Sequence, residues 1–484
     1  MLLSSLLNAA GIKMKPDFDP EISGITIDTR EVGDGFMFVA IKGAHTDGHQ
    51  YIRQAIESGA VVIVGEYLPE GLNEVQFIRV ENSADAAGKI ASAFFGNPSH
   101  HMKVIGVTGT NGKTTVATLL YEVLRLIGHR TGLISTVENR IEEQIIPATH
   151  TTPDAVTLQS LLADMSAAGC EYVFMEVSSH ALEQNRTSGL TFAGGIFTNL
   201  THDHLDYHGN FMNYLKAKKK FFDQMDKSAF ALVNVDDKNG QVMLQNTAAK
   251  KFTFSLKRQA DFKGKIIENN LEGLLMELNR REVNLRLAGE FNASNITAVY
   301  GAAMLLELDE LSVLKALSLV TPPKGRMDTL RDMNRQITFI IDYAHTPDAL
   351  ENVLTTLVKI NARNGKIITV IGCGGERDRE KRPVMGLKAA ALSDEAIFTS
   401  DNPRSEDPDT ILSEMMNGVP MELKRKVLIV SDRRQAIHTA SKLASRGDIV
   451  LIAGKGHENY QLVNGKKLEF DDRKIVEDIL SLSK

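Results

Sequence analysis

Lys113, Thr114 and Thr115 close the run IGVTGTNGKTT that begins at Ile105, and Gly106, Gly109 and Gly112 precede them. Glycines in a strand-to-helix turn let backbone N–H groups converge on phosphate oxygens, and the helix N-terminus adds partial positive charge. Lys113 supplies a mobile full charge, and Thr114 a hydroxyl for magnesium. The spacing departs from the commonest phosphate loop, which would put a glycine at Val107. An ordinary Gly-rich turn is the other reading, but Gly-Lys-Thr-Thr lies between a clear strand and a clear helix and favours a nucleoside triphosphate. The following strand, in EYVFMEVSS, carries Glu176 at its end, where a magnesium-binding carboxylate would be useful. A strand-terminal acid paired with a lysine is the alternative there. The next strand runs into THDHLDYHGN, with His202, Asp203, His204, Asp206 and His208. This stretch has neither cysteine nor the HExxH spacing of zinc sites, and magnesium prefers oxygen ligands. Its residues alone leave open a metal cluster or a polar loop with capping aspartates. The segment LKAKKKFF behind it reads as a solvated basic helix face. Ser178 and His180 in EVSSH are too close along the chain to form a nucleophilic triad.

These groups need a scaffold. The spacing predicts three α/β domains, at residues 1–99, 100–322 and 323–484. In the first, the strands GITID, FMFVAI and AVVIVGE are broken by the turns VGDG and HTDGH, and YIRQAIESGA is helical; GNPSHHM then interrupts. In the second, a helix runs from Lys113 to Ile127 and stops at Gly128. DAVTLQSLLADMSAAG is helical, and TPPKGR from Thr321 marks the next break. In the third, ITFIIDYAHTP, GKIITVIGCGG, EAIFTSDNPR, VLIVSD and DIVLIAGKGH each carry an apolar strand with a small or polar tail. Alternating strands and helices imply parallel sheets covered by helices, and ligands of such sheets sit beyond the carboxyl ends of the strands. A length of 484 residues suits this count at roughly 100–200 residues per domain. With 43% hydrophobic and 24% charged residues the composition is globular. The net charge of −6 argues against a nucleic-acid partner. Cys170 and Cys373 have no CxxC partner, which argues against a disulfide framework or a zinc site. MLLSSLLNAAGIKMK reads as a first helix, and no run approaches the roughly 20 apolar residues of a membrane span. A cytoplasmic protein without membrane insertion is expected.

TGTNGKTT, EVSSH, TNLTHDHLDYHG, GEFNASN from Gly289, KGRM from Lys324 and DYAHTP from Asp342 occur in that order. The set resembles the Mur ligase family, the ATP-dependent amide-forming enzymes of peptidoglycan precursor synthesis, whose loop is the GTNGKT variant. The resemblance spans nearly the whole chain. It implies an N-terminal α/β domain for the UDP-sugar substrate, a central P-loop-type ATPase domain with a parallel sheet, and a C-terminal Rossmann-like domain that binds the amino acid. It implies ATP held by Thr108, Gly109, Thr110, Asn111, Gly112, Lys113 and Thr114, with Asn292, Arg326, Asp342 and His345 at adenine, ribose or phosphate. Two magnesium ions are implied, with Thr114, Glu176, His204 and Lys218 as ligands. Lys218 matches a lysine that many members carry as a carbamate made from carbon dioxide, which turns a cation into an oxygen ligand. Lys113, Lys218 and His204 are the implied catalytic set, and a monomer is the family habit.

Within the family, the N-terminal stretch GITIDTREVGDGFMFVAIKGAHTDGHQYI resembles members that take UDP-MurNAc-L-Ala-D-Glu. Ile27, Thr29, Ala44, His45 and Thr46 match positions that touch that substrate, with threonine at 29 where serine is usual. Thr151, Thr152, Ser178, Gln184 and Arg186 match further contacts, and His150 stands where asparagine is common. In TSDNPRSEDP, Asp401, Asn402, Pro403 and Arg404 form the DNPR pattern of members that add meso-diaminopimelate. This amino acid differs from L-lysine by a distal carboxylate, which a guanidinium grips with two parallel hydrogen bonds. Arg377, Gly454 and Glu458 match the same pocket, although surface ion pairing is an ordinary role for Arg377 and Glu458. The alternatives are the same ligase using L-lysine, a folylpolyglutamate synthase, which shares the ATPase motifs, or an ATP-gated binding protein that ligates nothing.

Overall fold

The computed structural model describes every residue except 44–45, 73–74, 202, 362–364 and 483–484; at 205–206 the backbone alone is described. Four strands form an N-terminal sheet: β1 (Gly24–Thr26), β2 (Phe36–Val39), β3 (Ala60–Gly65) and β4 (Gln76–Arg79). They pair parallel in chain order. Leu3, Leu6 and Leu7 of the first helix, Leu3–Ala9, are fully buried against one face of this sheet together with Ala87 and Ile90. The apolar opening of the chain is thus a core helix, at the i, i+3, i+4 spacing of one helix face.

The central sheet has eleven strands: β5 (Lys103–Thr108), β6 (Thr131–Ile134), β7 (Glu138–Ile141), β8 (Gln144–Pro147), β9 (Tyr172–Glu176), β10 (Gly194–Phe197), β11 (Phe230–Asn234), β12 (Lys250–Ser255), β13 (Phe262–Asn270), β14 (Gly273–Leu278) and β15 (Arg281–Leu285). Their order is β15-β14-β13-β12-β11-β10-β5-β9-β6-β7-β8. The middle is parallel, and β9, β10 and β11 are buried along their whole length, as strands covered by helices on both faces must be. The two ends differ from the parallel expectation. β7–β8 and β14–β15 are antiparallel additions. Their alternating or exposed residues bury one face or none, so short hairpins replace helical crossovers.

The C-terminal sheet contains β16 (Asp328–Asp332), β17 (Ile337–Asp342), β18 (Ile367–Ile371), β19 (Glu395–Phe398), β20 (Val427–Ile429) and β21 (Ile449–Ala453), ordered β16-β17-β21-β18-β19-β20. All pairs are parallel except the β16 edge. A hairpin of β22 (Tyr460–Val463) and β23 (Lys466–Glu469) follows β21. The three sheets give the α/β architecture expected from the sequence. No described helix is long and apolar enough to cross a membrane. Helix Glu290–Leu305 and helix Lys113–Leu126 pack together under the central sheet, and their buried faces share one core with β5, β11 and β14.

Candidate active site

The phosphate loop leaves β5 at Thr108 and enters helix Lys113–Leu126. Gly112 caps that helix at φ +87, and a Cβ there would lie 2.5 Å from Asn295 Oδ1. At Gly109, φ is +152 and a Cβ would lie 1.9 Å from Thr198 Oγ1. Both positions therefore require glycine. The tail of β10 braces the loop: Asn199 accepts from Asn111 N (2.9 Å) through its side chain and from Thr110 N (2.8 Å) through its carbonyl. Thr198 Oγ1 donates to the Asn111 carbonyl at 2.6 Å. Thr198, Asn199 and Asn295 were not singled out from the sequence. Asn295 follows Asn292 by three residues and shares its helix face, and that is the signal that could have found it.

Two lysines enter this loop. Lys113 Nζ donates to the carbonyls of Gly109 (3.0 Å) and Thr110 (2.8 Å). Lys218, in helix Phe211–Asp223, is fully buried, donates to Gly109 O at 2.8 Å and lies 4.8 Å from the Tyr214 ring. The basic-face reading of LKAKKKFF is corrected here: Lys218 shares the inward stripe with Tyr214, Phe221 and Phe222. Burial, reinforced by Lys113, pushes the Lys218 ammonium well below its ordinary value, with Asp203 opposing. Burial also lowers Lys113, opposed by Glu176 and Asp203. Burial would raise Asp203, but His204, His345, Lys113 and Lys381 hold it below its ordinary value.

Glu176, at the end of β9, is 1% exposed, and Thr136 N–H donates to its Oε1 at 2.7 Å. Among the described residues it makes no ion pair within 4 Å, and a buried carboxylate without a cation is costly. Glu176 is paired in the sheet with Val107, just before the phosphate loop, and a buried carboxylate there fits a magnesium ion held at the loop. No three His, Cys, Asp or Glu side chains among the described residues form a ready metal cluster. Oxygens of the nucleotide and of a modified lysine would have to complete the shell. His204 has φ +53, its Nε2 lies 3.4 Å from Asp203 Oδ2, and burial pushes it down to about 4. His202 lies outside the described residues.

The C-terminal sheet closes the cleft from the other side. Arg326 Nη2 donates to Thr114 Oγ1 at 3.1 Å, and its guanidinium stacks over the Tyr343 ring at 4.5 Å. Asn111 Nδ2 donates to Asp348 Oδ2 at 2.9 Å. His345, pushed down to about 4 chiefly by burial and next by Lys381, contacts Tyr343 ring to ring at 4.5 Å. Asp342 is largely buried and accepts from Met327 N (2.7 Å) and Ala344 N (2.8 Å). Asn292 Nδ2 donates to Ala288 O at 2.8 Å and its Oδ1 accepts from Asn295 at 3.4 Å.

Beyond β9, Thr152, Ser178, Gln184 and Arg186 come together beside Glu176. Thr152 Oγ1 donates to Glu176 O at 2.8 Å, and Ser178 N donates back to it at 3.1 Å. Arg186 donates to Thr152 O at 2.8 Å and, through Nη2, to Gln184 Oε1 at 2.7 Å. Thr151 joins through a 3.0 Å bond from Thr136, whereas His150 is exposed and contacts Thr149. Ile27 and Thr46 lie in loops of the N-terminal domain and Thr29 begins the short 3-10 helix Thr29–Glu31, and none of the three enters the described hydrogen bonds to the central sheet; Ala44 and His45 lie outside the described residues.

The tails of β19 and β21 meet in a second pocket. Asn402 Nδ2 donates to Glu458 Oε2 at 2.9 Å, and Lys455 Nζ reaches the same oxygen at 3.0 Å. A Cβ on Gly454 would lie 2.7 Å from Asp401 Oδ2. Arg404, at φ +56, donates through Nη1 to Gly375 O at 2.6 Å and, after Pro403, bridges to Val463 of the hairpin. Arg377 is exposed at the pocket rim and packs its Cγ near Gly374. Lys455 was not singled out from the sequence. The Tyr343 ring lies 5.1 Å from that of His457, so Thr114, Arg326, Tyr343 and His457 link the phosphate loop to this pocket.

Comparison with known proteins agrees with this arrangement. Residues 107–303 match the Mur ligase middle domain, 325–456 the Mur ligase glutamate ligase domain, and 21–95 the Mur ligase family catalytic domain. The UDP-N-acetylmuramoyl-L-alanyl-D-glutamate--2,6-diaminopimelate ligase of Bacteroides fragilis is 53% identical over 473 residues, covering 98% of this chain and 97% of that protein. Its counterpart in Phocaeicola vulgatus is 54% identical over 466 residues, covering 96% of each. A solved structure of a ligase of the same name superimposes with a TM-score of 0.71 at 32% identity, over 100% of this chain and 99% of the other. The chain belongs to the Mur ligase family.

Proposed function

We propose that this chain is an ATP-dependent amide ligase of peptidoglycan synthesis that adds meso-diaminopimelate to the D-glutamate of UDP-MurNAc-L-Ala-D-Glu, releasing ADP and phosphate. Its relatives at 53% identity are named as ligases of UDP-N-acetylmuramoyl-L-alanyl-D-glutamate and 2,6-diaminopimelate. In this reading residues 1–99 bind the UDP-sugar, 100–322 bind ATP and 323–484 bind the amino acid, and the enzyme works as a cytoplasmic monomer. The observation that carries the reading is the link from Thr114 through Arg326 and Tyr343 to His457, which sets a phosphate loop and a charged amino-acid pocket on one cleft.

A free carboxylate is a poor electrophile. Transfer of the γ-phosphoryl group of ATP to the D-glutamate carboxylate gives an acyl phosphate with a good leaving group, and ADP departs. The deprotonated amine of diaminopimelate attacks the carbonyl carbon, and the tetrahedral intermediate collapses to an amide and phosphate. Lys113 and the loop N–H groups hold the phosphates in line. Arg326 meets the transferred group from the opposite wall, and Arg186, Gln184, Thr152 and Ser178 orient the acceptor near Glu176. Magnesium, when bound, neutralises charge on the transferred phosphoryl oxygens; Thr114, Glu176, His204 and carbamylated Lys218 would hold it. The lowered Lys218 supports that modification, because only a neutral amine adds to carbon dioxide, forming the N–C bond and losing a proton. A carbon-13 spectrum in labelled bicarbonate that lacks a carbamate signal, in active enzyme, would overturn this assignment.

The test of the function is phosphate release from MgATP and UDP-MurNAc-L-Ala-D-Glu with meso-diaminopimelate or L-lysine in parallel. Release with diaminopimelate alone is expected. Release with lysine alone would keep the ligase and overturn the role of Arg404; no amine-dependent release would overturn the ligase reading. The N-terminal sheet and the full-length relatives disfavour a folylpolyglutamate synthase.

A further inference from the structure

Arg382, in helix Lys381–Leu392, is fully buried and so touches no ligand. Its guanidinium ties three places together. Nη1 donates to Glu406 Oε2 at 2.9 Å and Nη2 to Glu406 Oε1 at 3.0 Å, a two-pronged ion pair. Nη1 also donates to Glu414 Oε2 at 2.6 Å, in helix Pro408–Asn417, and Nη2 to the Gly374 carbonyl at 3.1 Å. Gly374 lies in the loop after β18 and Glu406 in the loop after β19. Two backbone donors zip these loops: Gly375 N donates to Asn402 O at 2.9 Å, and Glu376 N donates to Glu406 Oε1. Arg404 Nη1 reaches Gly375 O at 2.6 Å across the same seam. A Cβ on Gly374 would lie 3.0 Å from Arg404 Nη1 and 3.7 Å from Arg377 Cγ, so the backbone that Arg382 holds runs between the two arginines.

We propose that Arg382 and Glu406 are positioning residues: they clamp the loops after β18 and β19 at one separation, and so set Arg377 and Arg404 at the spacing that grips the distal carboxylate of the amino acid. The inference rests on reading this pocket as the site of diaminopimelate. Two arginines bind a carboxylate well only if their backbones are already in place, because ordering them on binding costs entropy. The seam needs such support. Glu376 and Arg404 both have left-handed backbones, at φ +53 and +56, which only surrounding contacts can hold. Arg382 supplies those contacts from behind, out of reach of water, where charge-assisted hydrogen bonds are strongest. The carboxylate being gripped is one that L-lysine lacks, so its contribution does not cancel between the two amino acids. Glu414 shares the same guanidinium but has a different reach. It joins the two helices and, through Arg379, the turn that opens the first of them; none of its described bonds goes to residues 374–377 or 402–406.

The experiment compares Glu406→Gln with Glu414→Gln in the full-length enzyme. Each glutamine keeps the side chain's volume and removes one charge from the same buried arginine. KM is measured by phosphate release for meso-diaminopimelate, for ATP and for UDP-MurNAc-L-Ala-D-Glu, alongside a thermal melt. Both variants should melt below wild type. Glu406→Gln should raise KM for diaminopimelate about tenfold, the scale of one charge-assisted hydrogen bond to the ligand. Its other two KM values, and all three in Glu414→Gln, should stay within about twofold of wild type. A rise under about fivefold in Glu406→Gln, an equal rise in both variants, or a parallel rise for all three substrates would overturn the proposal and leave Arg382 a pin between helices. If Glu406→Gln does not fold at the assay temperature, Arg382→Lys keeps the charge and loses the fork; it should raise the same single KM, and an unmoved KM would overturn the clamp. A wild type inactive with diaminopimelate would sink the functional reading together with this proposal, whereas an active wild type whose variants keep its KM would sink this proposal alone.

Discussion

Arg404→Met separates recognition of the distal carboxylate from the folding of its loop. The backbone is left-handed at this position, φ +56, and methionine bears the same penalty there as arginine, so that cost cancels. The amide of residue 404 donates to Leu462 O at 3.0 Å, and its carbonyl accepts from Asn464 at 2.6 Å; any residue keeps both. What disappears from the folded protein is the bond from Nη1 to Gly375 O at 2.6 Å and a weak 3.4 Å contact to Asn402 O. The stability loss should be about 1.5–3 kcal/mol, that of one charged hydrogen bond. With diaminopimelate bound, the variant also leaves a carboxylate without its guanidinium, which costs about 2–5 kcal/mol. That corresponds to a roughly 30- to several-thousandfold loss in kcat/KM. L-Lysine has no such carboxylate and should lose only what loop disorder takes. Initial rates of phosphate release with each amine, alongside a thermal melt, measure both effects. Equal losses with the two amines, or less than about a fivefold loss with diaminopimelate, would refute this account of the pocket.

Three other perturbations test different parts of the site. Gly112→Ala introduces a left-handed alanine, costing about 1–2 kcal/mol, and drives a Cβ to 2.5 Å from Asn295 Oδ1; KM for ATP should rise at least about tenfold, and an unchanged KM would show that the loop tolerates a side chain. Lys218→Met should abolish ligation yet raise the melting temperature in bicarbonate-free buffer at pH 7. The folded amine lies well below 10.5, so the wild type is penalised most below the folded value and the penalty fades as pH approaches 10.5; a lower melting temperature for the variant at pH 7 would contradict this. Asp472→Asn leaves Arg433, fully buried and with Nη1 already unpartnered, without its counter-charge; denaturant unfolding should show a loss of about 3–5 kcal/mol, and a loss under 1 kcal/mol would mean that water reaches the guanidinium.

The phosphate loop could be read directly because its logic is local: one strand, one turn and one helix start, all within a dozen residues. Lys218 was harder to read from the residues themselves. KAKKK reads as a wet surface until the stripe Tyr214, Lys218, Phe221, Phe222 is traced at helical spacing, and then the lysine stands among aromatics. The antiparallel ends of the central sheet were missed for a different reason. The β14–β15 turn uses Asn279 and Arg280 at φ +43 and +74, and an arginine does not announce a left-handed turn as Asn-Gly does. The Lys455–Asn402 contact joins residues 53 apart. No local spacing encodes it, because it exists only once β19 and β21 have taken their places either side of β18.

Asp342 shows how tertiary structure can give a residue a second task. Its position in DYAHTP suggests a nucleotide contact, but in the fold its two oxygens already hold the amides of Met327 and Ala344. Those residues directly follow Arg326 and Tyr343, the two partners of the stack that bridges the cleft. The Tyr343 amide in turn donates to Gly325 O at 3.0 Å, so both chain segments are tied together on each side of the stack. In the proposed reaction Arg326 would meet the phosphoryl group from the far wall, and a backbone fixed before nucleotide arrives lowers the ordering entropy lost on each turnover. Burial raises the Asp342 carboxyl above its ordinary value, and the Arg326 charge and the two amides oppose that rise only in part. The same contacts that position the arginine thus favour the charged form of the carboxylate against its burial, and the positioning of Arg326 is linked to the ionisation of Asp342.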